Sequence, residues 1–160
     1  MTTSATSSTP SSSGNAHRVA TGARLLLGLI FFVFGLNGFL AFLPSPPMPE
    51  AAGAFAGALA ATGYFFPLLK ATEVLAGLAL LGNRFVPLAL TVLAPITLHI
   101  ALFHTFLAPS LALPLVMLVA HIGLAYLYRD NFRGVLAAKA APSPLSAIST
   151  RNDDGALAGA

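Results

Sequence analysis

The sequence predicts an all-α membrane protein: a bundle of four transmembrane helices, with a short interfacial helix between the first and second and both termini on the cytoplasmic side. Three observations carry this. Of the 160 residues, 56% are hydrophobic and only 8% charged, against about 25% charged in an ordinary soluble domain. Apolar runs of about 20 residues recur, the length a helix needs to cross a bilayer. Basic residues also gather in alternate connections, as they do on the cytoplasmic side of membrane proteins. A soluble core of this size could not bury so much apolar surface, so the expected solvent for most of the chain is lipid.

Residues 1–18 are rich in Ser and Thr and cannot bury enough surface to offset chain entropy, so they are expected to form a disordered tail. Residues 19–136 form the expected transmembrane domain. The first apolar run starts after Arg24 and is long enough to span, so it is expected to serve as an uncleaved insertion signal rather than a removable leader. This first span covers residues 24–43, and Pro44, Pro46 and Pro47 stop it because proline cannot continue the hydrogen-bond ladder. Residues 49–63, with Gly53, Gly57 and Ala61 at four-residue spacing, are helical in composition but too short to cross. They are expected to lie at the interface, separated from the next helix by Gly63 and Pro67. The second span covers residues 64–81 and ends at the Gly82–Asn83 cap. The third covers 85–107, with Pro87 and Pro95, and the fourth covers 110–128, with Pro114 near its start. Residues 137–160 return to Ala, Pro, Ser and Gly without apolar period and are expected to be a second disordered tail.

Arg18, Arg24, Arg84, Arg129, Arg133 and Lys139 all fall in connections on one side, whereas the first loop carries only Glu50. That side is expected to be cytoplasmic. The net charge of +3 is spread over few residues, and no basic run interleaved with aromatics marks a nucleic-acid face. With no cysteine, the chain has no thiol chemistry of its own, so a redox role would need a cofactor or a partner.

Charge inside a lipid-facing helix is costly, so Lys70 and Glu73, an opposite-charge pair three residues apart in an apolar helix, point to a protein-lined interior. They are the candidate catalytic residues. At 1.5 Å of rise per residue, Asn37 and Lys70 lie roughly 9 Å below the outer surface, and Glu73 and His99 roughly 12–13 Å below it. His121 lies about a turn deeper, where it could extend the cluster. Asn37, His99 and His121 are the candidate ligand-binding residues. Each also has a purely structural reading: an intrahelical ion pair for Lys70 and Glu73, and helix-packing hydrogen bonds for Asn37 and the histidines. His104, close to the surface, reads as an interfacial residue. No metal site is expected, and the depth mismatch between His99 and His121 argues against a bis-histidine haem.

The pattern resembles the DoxX family of small four-helix bacterial membrane proteins. The resemblance covers residues 24–131. It rests on Arg24 followed by Leu25, Leu26, Leu27 and Gly28, on Gly35, on the Pro-rich outer loop, on Pro67, and on Glu73-Val74-Leu75-Ala76-Gly77 leading to Gly82 and Arg84. The chain departs from the family pattern at Asn37-Gly38, where members often carry a lysine, and in its Gly-to-Arg spacing; Lys70 would have to substitute for that lysine in space. The resemblance implies a multi-pass protein of the bacterial cytoplasmic (inner) membrane, and a subunit supporting quinone-linked redox chemistry or an oxidative-stress response with an oxidoreductase partner. A quinone suits such a site: its tail belongs in lipid, and its carbonyls would accept bonds from Lys70, His99 or Asn37 while Glu73 relays a proton. A non-catalytic scaffold or assembly factor, and a small-molecule or proton carrier, are the alternatives. The Gly-rich faces allow a homo-oligomer.

Overall fold

The computed structural model describes residues 12–44, 47–134 and 138, so most of the two expected tails lies outside the described residues. Among the described residues every regular element is helical: α1 (Ser12–Leu40), α2 (Glu50–Ala61), α3 (Phe65–Leu81), α4 (Val86–Phe106) and α5 (Ala112–Leu127), followed by a 3-10 turn (Arg129–Phe132). The all-α expectation holds. Among the described residues two helices are long and apolar enough to cross a membrane, α1 from Gly14 onward and α4, or up to three if α2 and α3, bent by 93° at their junction, count as one broken span. At 16 residues, α5 is shorter than a standard span, about 24 Å long.

Element ends differ from the expected ones for local reasons. α1 begins at Ser12 rather than after the expected tail, because extending an established helix through Ser, Asn and Ala costs little once the apolar turns have nucleated it. It stops at Leu40 rather than Leu43: Ala41 takes a left-handed φ of 48°, and the Asn37 carbonyl accepts the Ala41 N–H at 2.8 Å. The junction between α2 and α3 is a genuine break. Thr62 Oγ1 donates to the Leu59 carbonyl at 2.7 Å and accepts from the Phe65 N–H at 3.3 Å. Gly63 sits at φ +73°, a conformation that only glycine adopts without strain. Gly63→Ala is therefore expected to cost about 1 kcal/mol, read as a lower midpoint in SDS titration of the protein in mixed micelles.

Buried positions follow helical period. In the four-helix ring they are Arg24, Leu27, Gly28, Phe31 and Gly35 on α1; Glu73, Ala76, Gly77 and Leu80 on α3; Val86, Ala89, Leu90, Leu93 and Thr97 on α4; and Pro114, Met117, His121 and Leu124 on α5, with Ala52 the buried residue of α2. Spacings of three and four residues put each set on one face. α1 packs on α3 and α5, and α4 packs on α3 and α5, closing a ring, while α2 touches α3 from outside.

α1 and α3 form the tightest pair. Gly28 faces Gly77, Leu80 and Leu81; Gly35 faces Val74 and Glu73; Gly38 faces Lys70. Because the α1 numbers rise as the α3 numbers fall, the helices run antiparallel. A Cβ on Gly77 would lie 2.7 Å from Phe32 N and 2.9 Å from Gly28 O, so the missing side chain is what lets the two backbones approach.

Arg24, counted from sequence as a loop charge, is buried. Its guanidinium donates from Nη1 to the Leu80 carbonyl and, at 3.2 Å, to the Leu81 carbonyl. It thus closes the C-terminus of α3, whose last carbonyls lack intrahelical donors and carry the negative end of the helix dipole. Arg24→Met retains the stem but removes the donors. It is expected to destabilise the protein by about 2 kcal/mol, measured by the same SDS titration.

Candidate functional site

The core lies toward this end of the ring, where Leu27, Phe31, Leu80, Leu90, Leu93 and Leu124 are almost wholly buried. Toward the opposite end, at the start of α3 and the end of α4, the helices do not fill the interior. There α2 leans across, and a cavity of about 630 Å³ opens among α2, α3 and α4. Its walls are mostly apolar and aromatic, with Phe55 from α2, Phe65 and Phe66 from α3 and Phe103 from α4. Four ionisable side chains reach it: Lys70, Glu73, His99 and His104.

The ion pair is placed by helix geometry. Lys70 Nζ donates to Glu73 Oε2 at 2.8 Å across one turn of α3. The Glu73 side chain is 3% exposed and the Lys70 side chain 23% exposed. Glu73 belongs to the same stripe as Ala76, Gly77 and Leu80, so the turn that packs α3 on α1 also turns the carboxylate inward. Among the described residues Lys70 is its only hydrogen-bond partner, and no buried side-chain oxygen or nitrogen goes unpaired. Glu73 Oε1 therefore borders open space, and the Glu73 side chain lines the cavity. An ammonium has three donors, and Lys70 commits one of them to Glu73. The site thus presents two spare donors and a spare carboxylate acceptor in an apolar chamber.

The two histidines on this wall differ in their bonding. The His99 ring is exposed and lies 5.8 Å from the Phe55 ring, centroid to centroid. His104 is half-buried, and its Nδ1 lies 2.8 Å from the Ile100 carbonyl. A carbonyl only accepts, so Nδ1 donates to it, and Nε2 has no hydrogen-bond partner among the described residues. Reading His104 as merely interfacial missed its place on the wall. Spacing gave little signal: Phe103, four residues on, shares the face of His99, but His104, five residues on, is rotated about 140° from it.

The other two expected ligand residues are employed elsewhere. Asn37 Oδ1 accepts the Leu43 N–H at 2.6 Å, which ties down the chain leaving α1, and Asn37 does not line the cavity. A residue one turn from a helix end is within reach of backbone groups that have lost their helical partners, and these compete for its amide. His121 does not extend the cluster either. It is buried between α5 and α4, with Nε2 3.1 Å from the Leu90 carbonyl and Nδ1 3.0 Å from Thr97 Oγ1. Nε2 therefore donates to the Leu90 carbonyl, while Nδ1 pairs with a threonine hydroxyl whose single proton also lies within reach of the Leu93 carbonyl at 2.9 Å, which makes His121 an interhelical clamp. Of the five residues singled out from sequence, the cavity brings together Lys70, Glu73 and His99, and adds His104.

Among the described residues no three His, Cys, Asp or Glu side chains gather in a way that could hold a metal ion. The chamber's chemistry is that of an acid–base pair with aromatic walls. It can accept a flat apolar ring, donate hydrogen bonds to a carbonyl from Lys70, and exchange a proton at Glu73. Comparison of the chain with protein-family models, with curated proteins and with solved structures returned no match.

Proposed function

We propose that the chain is a DoxX-like integral membrane protein of the bacterial cytoplasmic membrane, whose α1, α3, α4 and α5 cross the bilayer as a four-helix bundle with both termini inside. Its expected role is that of a small subunit supporting quinone-linked redox chemistry with an oxidoreductase partner. The packing of α5 into the ring supports its crossing despite its length, since a short helix is accommodated by local thinning of the bilayer. In this arrangement α2 lies at the outer interface, over the chamber.

The observation that carries the reading is the Lys70–Glu73 pair set in the wall of an aromatic cavity. The residues present fit a quinone. The spare Lys70 donors suit a ring carbonyl, Glu73 Oε1 suits a ring hydroxyl, and the phenylalanine walls suit the ring faces. A bound quinone would supply reversible uptake of two electrons and two protons. The protein's part is to hold the ring against Lys70, keep a carboxylate within reach of its oxygen and exclude bulk solvent from most of its surface. The chain has no cysteine, so the electrons must come from a partner.

The test is binding of a short-tailed ubiquinone analogue to the purified protein in nanodiscs, followed by quenching of intrinsic tyrosine fluorescence or by calorimetry. Saturable binding is expected, and binding of the reduced, quinol form of the analogue is expected to weaken about tenfold or more in Glu73→Gln, as expected for loss of the charge-assisted hydrogen bond that the carboxylate accepts from a ring hydroxyl. Absence of saturable binding in the unaltered protein would defeat the proposal.

A second reading, a non-catalytic scaffold, draws on a different observation. A Cβ at Gly38 would run into Lys70 Cγ, and one at Gly35 would lie 3.0 Å from Glu73 Cβ. The ion pair is therefore also part of the α1–α3 seam. In that case the pair would set helix packing alone, and its replacement by a neutral pair would leave the protein's role intact.

A further inference from the structure

A second cavity, of about 500 Å³, adjoins the first. It is bounded by Pro47 and Pro49 from the connection after α1 and by Ala108, Pro109 and Ser110 from the connection after α4. It therefore opens toward the loop end of the bundle. Met48, Phe103 and His104 belong to the walls of both cavities. Those three side chains are the partition, and His104 is the ionisable one among them. Its Nδ1–H is held by the Ile100 carbonyl at 2.8 Å, which anchors the ring to its own helix and leaves Nε2 for a solvent molecule.

We infer that the two cavities are the vestibule and the chamber of one aqueous inlet, with His104 at the neck, through which water reaches the Lys70–Glu73 pair from the loop end. Each water takes about 30 Å³ of liquid volume and needs two to four polar partners to persist in a protein interior. Both cavities have the room. The partners along the chamber are the Lys70 donors, Glu73 Oε1, His99 and His104 Nε2. A carboxyl group 3% exposed that exchanges a proton needs a carrier to and from solvent, and a file of waters past His104 is that carrier. The inlet deepens the reading of the chamber as a quinone site, because a ring entering sideways from lipid brings no protons with it. It also stands apart from that reading, since it requires only water.

The absence of cysteine makes the test clean. Ala56, on the chamber wall, and Ala108, on the vestibule wall, are each changed to cysteine in the full chain. The proteins are reconstituted in nanodiscs and exposed to a positively charged thiosulfonate, which reacts with the hydrated thiolate and does not cross lipid. Ala56→Cys is expected to react within about tenfold of the rate of Ala108→Cys, both being wetted thiols. His104→Trp in the same neck is expected to slow the Ala56→Cys reaction by about tenfold or more while leaving Ala108→Cys unaffected. His104→Ala should leave it as fast or faster, and Phe103→Trp is the alternative plug if His104→Trp does not fold. The inlet is overturned if Ala56→Cys resists the charged reagent yet reacts with a neutral, lipid-permeant maleimide, or if neither plug changes its rate. Loss of quinone binding would leave these rates untouched, and dry chamber thiols would leave sideways entry of a quinone intact, so the two proposals fail separately.

Discussion

Gly77→Leu is expected to prevent the bundle from assembling. The new Cβ would stand 2.7 Å from Phe32 N and 2.9 Å from Gly28 O, both atoms of the α1 backbone, which cannot rotate away as a side chain could. The helices would have to separate along the seam that also holds Gly35 against Val74 and Arg24 against the end of α3. Overpacking commonly costs 1–3 kcal/mol, and a clash with backbone on a helix pair this close should reach or exceed about 3 kcal/mol. The measurement is recovery of monodisperse protein in mild detergent, with SDS titration of whatever is recovered. Gly57→Ala is the contrast, since nothing lies within 4 Å of a Cβ there. It should be neutral or stabilising by up to about 1 kcal/mol, through helix propensity alone. Equal recovery of Gly77→Leu and Gly57→Ala would refute the close approach of α1 and α3.

The second large effect is an asymmetry within the ion pair. Lys70→Met leaves Glu73, whose side chain is 3% exposed, without the one partner it has among the described residues. Removing one member of a buried pair costs roughly 3 kcal/mol or more, because the remaining charge is neither solvated nor compensated. Glu73→Gln should cost less, because the Lys70 side chain is 23% exposed and its flexible stem can carry the ammonium into the cavity. The double change should recover much of the loss, giving a coupling energy of about 2 kcal/mol in a double-mutant cycle measured by SDS titration. Quinone binding separates the two functional readings in the same set of proteins. At a chemical site the stable double variant still fails to bind, whereas a scaffold's partner assembly returns with stability. Equal costs for the two single changes would mean that Glu73 is better solvated than its burial implies.

Much of the architecture was legible because it is local. Apolar runs and Pro–Gly punctuation located all five helices to within a few residues, except where α1 continues back to Ser12. The break at Gly63 followed from glycine's freedom at positive φ. Lys70 and Glu73 pair through i,i+3 spacing, a distance set by the helix itself, and Glu73 shares the period of the small residues that face α1. Depth along a helix was also readable, and it put His99 at the level of the pair.

Rotation about the helix axis and the partners met across the interface were decided only by tertiary packing. His99 and Thr97 are two residues apart and so point about 200° apart; only the seating of α4 between α3 and α5 turns Thr97 onto His121 and His99 toward α2. His121 is spent on the Leu90 carbonyl, Asn37 on the chain beyond α1, and Arg24 on the end of α3, because each lies beside a backbone group brought there by a neighbouring element or a helix end. The 93° bend that lays Phe55 over the chamber also has no periodic signature. Rise and period come from hydrogen bonds within a few residues of one another. Azimuth and cross-helix register depend on how glycine notches such as Gly77 and Gly35 let whole helices settle together, and that is a property of the assembled bundle.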